Sequence, residues 1–171
     1  MTILSSTQLH SFRLSDLRVD YNDNWIWAEE SARRGEAYDV APDYEVFWSD
    51  EGDALVMLTV KCVASKEAKG ACRFREVSAT GWGILSFGDE VEEDERERRA
   101  YINGPAMLHG MLRGVINSAT GSCVGGPFIL PTVNYLEVFK RKAEQLSLSD
   151  LEEEEQAGIE DDATEAAGVN E

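Results

Sequence analysis

At 171 residues and 43% hydrophobic content, the chain suits one domain large enough for a real core. Its formal charge of −17 argues against a nucleic-acid partner, because an acidic chain repels phosphate backbones. It has no apolar run of about eighteen residues, and Met1–Gln8 lacks a charged start and an apolar core, which argues against membrane insertion and a signal peptide. Cys62, Cys72 and Cys123 are odd in number and irregular in spacing, as expected of reduced thiols in a cytoplasmic protein.

Leu9–Tyr21 predicts a strand with a change of phase. Phe12 and Leu14 share one parity and Leu17, Val19 and Tyr21 the other, so a bulge near Ser15–Asp16 would bring all five to one face. Asn22–Asp43 reads as a long polar connection that carries Trp25 and Trp27 and ends at Pro42. Tyr44–Ser49, Ala54–Ser65 and Ala71–Phe87 predict three further strands, parted by turns at Asp50–Asp53 and Lys66–Gly70. Gly81 and Gly83 around Trp82 suggest a bend. Four sequential strands with tight turns predict an antiparallel meander. Gly88–Arg99, with seven acids and three arginines, is a charged loop or a helix start.

Gly104–Arg141 holds more apolar surface than a short terminal unit can hide. Pro105 suits the first position of a helix, where its missing N–H is not needed. Met107, Leu108, Met111, Leu112, Val115, Ile116 and Ala119 then form one arc at helical period. Ala106, Gly110, Gly114 and Ser118 make a second, small stripe beside it, which another backbone could approach closely. Such a helix is expected to pack on a sheet with one face and on a neighbouring subunit with the other. A Gly/Ser/Cys turn, an extended PFILP segment and a short helix from Asn134 follow. The fold class is therefore α+β: a four-stranded antiparallel sheet, a long helix and a short C-terminal helix. Residues 1–146 form the domain. Residues 147–171 hold ten acids and no Lys or Arg, and read as a disordered acidic tail that is a solubility device or a docking site for a basic partner.

No enzyme emerges from the sequence. Cys123 and His109 could pair as thiol and base, but no orienting partner is evident and a buried free Cys is the commoner case. GSCVGG lacks the Lys of a phosphate loop and follows a helix rather than a strand. The cysteines and histidines show neither CxxC nor HxxxH spacing, so neither a metal site nor a cofactor is implied. The acids of Glu90–Glu97 read as a solvated surface. Asp16 and Asp20 share the parity opposite to Leu17 and Val19, and Phe74 shares a face with Glu76. An exposed aromatic among carboxylates on a sheet forms a docking patch or, more simply, an ordinary polar outer face.

In PTVNYLEVF, Val133, Asn134 and Phe139 resemble the Pro-Val-Asn-(aromatic)-x-x-x-Phe signature of the SecB family of export chaperones. Arg113, the Glu76–Val77 pair with Gly81, and the run Ser15–Asp20 fit as well, so the resemblance spans roughly Leu9 to Gln145. It implies a cytoplasmic homotetramer, a dimer of dimers with long helices between two sheets. It also implies a holdase without enzymatic activity or cofactor, which keeps unfolded precursors in apolar grooves and delivers them to the motor SecA. Carried over by motif, SecA docking falls on Asp16, Asp20, Phe74 and Glu76. Client binding falls on Trp25, Trp27, Phe128, Ile129, Leu130, Tyr135, Val138 and Phe139, and the oligomer interface on Ala106, Gly110, Gly114 and Ser118. Arg18 between the docking acids, Arg73 and Arg75 on the expected subunit face, and Thr132 inserted before Val133 depart from the pattern. A dedicated SecB-like chaperone of an antitoxin in a toxin–antitoxin pair is the alternative. A non-chaperone acidic interaction protein is the reading from another class.

Overall fold

A computed structural model describes residues 6–27, 36–68 and 71–144; the acidic stretch 147–171 lies outside the described residues. The chain divides into two units, Met1–Tyr135 and Leu136–Glu171. The first begins with strand β1 (Thr7–Tyr21) and a short 3-10 turn (Asp23–Trp27), and continues with strands β2 (Tyr38–Trp48), β3 (Ala54–Ala64) and β4 (Phe74–Phe87). The long helix α1 (Glu93–Thr120) and the extended segment 126–134 follow. A further helix, α2, occupies 135–144. No described helix is long and apolar enough to cross a membrane.

All four strands pair antiparallel, in the order β1-β4-β3-β2. The expected meander therefore holds only from β2 to β4, because β1 crosses over to pair with β4. The bulge expected near Ser15–Asp16 is present as a register shift between Leu14 and Asp16. It sets Phe12, Leu14, Leu17, Val19 and Tyr21 opposite Gly83, Gly81, Ala79, Val77 and Phe74 of β4. Strand β2 starts six residues earlier than predicted and runs through Pro42, which pairs with Val60. A strand tolerates proline when it lies at the edge of a sheet, where the missing N–H would have faced away from the ladder.

The inner face of the sheet is the core. Val56, Leu58, Val60, Cys62, Val77 and Leu85 are fully buried under Leu108, Leu112 and Ile116 of α1. Gly81 and Gly83 permit this approach. A Cβ on Gly83 would lie 2.4 Å from the Ser11 carbonyl oxygen and 3.2 Å from Leu108, and one on Gly81 would lie 3.1 Å from Leu112. The two glycines thus mark a close contact with helix and strand, and the strand pairs with β3 in unbroken register through both.

Helix α1 starts at Glu93, within the Gly88–Arg99 stretch read as a charged loop or a helix start, and Pro105, twelve residues on, lies inside it. An internal proline costs roughly 3 kcal/mol, and the charged first turns supply local support. Glu95 pairs with Arg99 at 2.9 Å, and Arg99 reaches back to the hydroxyls of Ser6 and Thr7 at 2.6 and 3.2 Å. Gly104 lets the helix rest on the sheet, since a Cβ there would sit 2.9 Å from Val56. The seven-residue arc is split: Leu108, Leu112 and Ile116 are fully buried, whereas Met107 and Met111 are 37% and 45% exposed.

Candidate functional site

The segment 71–74, just before and at the start of β4, fastens the turn after β1, the entry to β2 and the turn after α1. The backbone N–H of Asn22 donates to the Arg73 carbonyl at 2.8 Å, and its side-chain amide donates to the Cys72 carbonyl at 3.0 Å. The Trp25 indole N–H donates to the Ala71 carbonyl at 2.9 Å. The Cys72 thiol donates to the Ala37 carbonyl at 3.1 Å, and the Phe74 N–H donates to the Tyr38 hydroxyl at 3.2 Å. Both the departure and the return of the β1–β2 crossover are therefore pinned to the same four residues.

Arg73 is the centre of this arrangement. Its Nε and Nη2 donate to the two carboxylate oxygens of Glu36 at 2.8 and 3.1 Å, and its backbone N–H donates to the same carboxylate. Nη1 donates to the carbonyls of Gly125 and Gly126. The guanidinium carbon lies 5.9 Å from the Trp25 ring centroid and 5.7 Å from that of Phe74. The hydrogen bond donated to Glu36 raises the pKa of the Arg73 guanidinium, so it stays charged although only 14% of its side chain is exposed.

On the helix side, α1 grips the extended segment at three points one turn or two apart. Thr120 Oγ1 donates to the Ile116 carbonyl and accepts from the Phe128 N–H at 2.8 Å. Arg113 donates to the Leu130 carbonyl at 3.0 Å and the Thr132 hydroxyl at 3.1 Å. The Pro131 carbonyl can only accept, so His109 donates from Nε2 at 2.9 Å and Nδ1 accepts from the Tyr135 hydroxyl at 2.9 Å. Burial first, and Arg113 as well, lowers the His109 pKa and keeps the ring neutral. Each ring nitrogen of His109 thus faces a packing partner rather than Cys123.

These ties decide which candidate client residues present surface. Trp25, Phe128, Leu130 and Tyr135 are buried, at 8%, 2%, 0% and 4% exposure, and serve as anchors; Trp27 and Ile129 stand out at 85% and 60%. Phe128 packs edge-on against both Phe74 and Tyr38, at 5.5 and 4.9 Å between ring centroids. Val138 and Phe139 are half-buried within α2 in the second unit. Among the exposed apolar residues that escaped the sequence reading, which include Phe47, Trp48, Leu55 and Leu136, two lie beside these anchors: Ile26 at 39% and Val124 at 57%. Ile26 lay beside the two tryptophans in an otherwise polar loop, and Val124 was the one bulky apolar residue of GSCVGG. The turns that carry them lie side by side, with the Tyr21 hydroxyl donating to the Val124 carbonyl at 3.3 Å and Trp25 against Gly125.

The docking patch is corrected at Phe74, which is fully buried in contact with Tyr21 and Phe128. The cause is another of the three register shifts between β1 and β4. Asp20 pairs with Glu76 and Tyr21 with Phe74, which leaves Arg75 as an extra residue in β4 and turns Phe74 to the inner face. Asp16, Asp20 and Glu76 do share the outer face, but cations lie among them. Lys61 reaches Glu76 at 3.0 Å, Arg18 reaches it at 4.0 Å, and Arg75 reaches Asp20 at 3.0 Å. The small stripe of α1 is open: Ala106, Gly110, Gly114 and Ser118 are exposed, and a Cβ on either glycine would meet nothing within 4 Å.

No protein-family model and no curated protein matches the chain. Among solved structures, it is similar to a SecB-like chaperone of Mycobacterium tuberculosis, Rv1957, in complex with a ChAD peptide from the HigA1 antitoxin Rv1956. The TM-score is 0.53 at 17% identity, covering 75% of this chain and 91% of that one. A protein of unknown function from Streptococcus agalactiae aligns with a TM-score of 0.41 at 12% identity, over 74% of this chain and 97% of that one. The likeness to Rv1957 is one of fold: the chain has a SecB-like α+β architecture.

Proposed function

We propose that the protein is a SecB-like molecular chaperone, a non-enzymatic holdase of the cytoplasm that binds non-native polypeptide and slows its aggregation. The observation that carries this reading is the pair of pinned turns presenting Ile26, Trp27 and Val124 to solvent. Neighbouring exposed apolar residues that form one patch mark contact sites for other chains, whereas scattered single ones do not. Here a buried network holds the turns in place, so the exposure belongs to the fold. Ile129, exposed between buried Phe128 and Leu130, extends the surface along α1. The SecB-like fold supports the same reading.

Self-association completes it. Beside α1, Leu14 and Val19 on the inner side of β1 are 37% and 36% exposed, and the small stripe of the helix is uncovered. A second helix from another copy would cover both, in the dimer-of-dimers arrangement that the resemblance implies.

The test is suppression of aggregation of a chemically unfolded protein by stoichiometric amounts of the chain, with Trp27→Ser and Ile129→Ser for comparison. Protection that falls by several-fold in the variants supports the reading, and no protection by the parent protein sinks it. Of the two client roles, the dedicated one draws support from the cations around Asp20 and Glu76 and from the burial of Phe74. Together these leave Asp20 and Glu76 neutralised and Phe74 out of reach of an export motor. An antitoxin segment would then bind with an affinity that Asp20→Lys does not alter, whereas binding to SecA lost on Asp20→Lys would restore the export role.

A further inference from the structure

We infer that Arg73 is the positioning residue of the client-contacting surface: its guanidinium sets the distance between the turn that presents Ile26 and Trp27 and the turn that presents Val124. This rests on the chaperone reading and adds the element that makes its surface rigid. Arg73 does not touch the proposed client; it acts through Trp25 and Gly125.

The chemistry on the page asks more of Arg73 than charge compensation. Glu36 alone neutralises it, through two parallel hydrogen bonds at 2.8 and 3.1 Å. The remaining nitrogen is spent on two carbonyls, those of Gly125 and Gly126, with the second at 2.9 Å. Both glycines have φ of +89°, a conformation that L side chains rarely adopt. A Cβ on Gly125 would also lie 2.7 Å from the Trp25 ring and 2.8 Å from Arg73 Cδ. The turn is thus built for close seating on these two side chains. On the other side, the indole of Trp25 lies against the guanidinium and is fixed at its N–H by Ala71. Ile26 and Trp27 leave the surface directly from that buried ring.

Two exposed turns that moved independently would each lose conformational freedom on meeting a client. Holding them beforehand removes this cost from binding. Only a planar fork can satisfy a carboxylate on one side and two carbonyls on another in one orientation; a lysine ammonium offers the charge without the geometry. Arg73→Lys should therefore keep the ion pair to Glu36 and release the 121–126 turn.

The experiment uses the full chain and fluorescein-labelled, reduced and carbamidomethylated ribonuclease A as a permanently unfolded probe, with affinity read by anisotropy. Arg73→Lys should weaken binding about tenfold, and Glu36→Gln, which keeps one acceptor oxygen for Nε and the backbone N–H but sets an NH2 against Nη2, less than about threefold. Trp25→Phe, which loses the N–H to Ala71, should weaken it in the same direction and serves if Arg73→Lys does not fold. Val60→Ala, in the fully buried β3 core, is the control: it should lower thermal stability at least as much as Arg73→Lys while binding like the parent. Binding within about twofold of the parent in both Arg73→Lys and Trp25→Phe overturns the inference. So does an equal loss in Val60→Ala, which would reduce the effect to general stability. A parent protein that does not bind the probe overturns the chaperone reading itself, a distinguishable result.

Discussion

His109 couples a single proton to the packing of the extended segment. Its folded pKa lies below the usual value near 6.5 because of burial. The folded state then binds fewer protons than the unfolded state in the window just below pH 6.5. Its contribution is complete above that value and is lost as pH falls towards the folded pKa. Urea unfolding followed between pH 5 and 7.5 should show stability rising with pH, and His109→Gln should flatten that part of the curve. The thiols are graded by the same physics. Burial pushes Cys62 up to about 11, and Cys72 is equally inaccessible, whereas Cys123 is half-exposed. Brief iodoacetamide treatment of native protein at pH 8 should alkylate Cys123 alone, as read by peptide mass mapping. At this scale the sequence was a good guide to chemistry and a poor one to exposure. It held no sign that Phe74 points inward, because the extra residue responsible, Arg75, is neither glycine nor proline and leaves no local mark.

Elements were legible where periodicity ran long. The bulge in β1, the strands β3 and β4 and the apolar turns of α1 all follow from alternation or helical spacing. The boundaries that failed were those argued from proline. Pro42 was read as the end of a loop and lies within an edge strand; Pro105 was read as a helix start and lies inside the helix, because support came from Arg99, Ser6 and Thr7, too distant in sequence to see. The glycines of β4 can be tested as contacts. Gly83→Ala should destabilise the protein by about 1–3 kcal/mol, from its approach to Ser11 and Leu9, measured by chemical denaturation. The grip of α1 on segment 126–134 is equally open to test. Thr120→Val leaves the buried Phe128 N–H without its acceptor, at a cost of about 1–3 kcal/mol. Hydrogen exchange should show the Phe128 amide losing protection well before the amides of β3.

For the molecule as a whole, the Gly104–Arg141 stretch foretold surplus apolar surface but not where it would be left. The fold sorts it: Leu108, Leu112 and Ile116 go to the core, and Met107, Met111, Leu14 and Val19 remain beside an open stripe. Filling that stripe in Gly110→Leu/Gly114→Leu should leave the chain folded, since nothing lies within 4 Å of either added Cβ. Native mass spectrometry should then show a smaller assembly than that of the parent protein.

The position of Pro42 limits how such an assembly can grow. The sheet has two edges, and they are unequal. The β2 edge carries a residue without an N–H at its middle, flanked by exposed Asp39, Asp43 and Glu45, whereas β1 offers fifteen residues without proline. Prolines and charges on an edge are a known guard against unwanted pairing. The β1 edge is broken instead by three register shifts and carries exposed Arg13, Asp16 and Arg18, so neither edge is a plain template for a further strand. The chain is thus shaped so that its sheet does not string into a fibre.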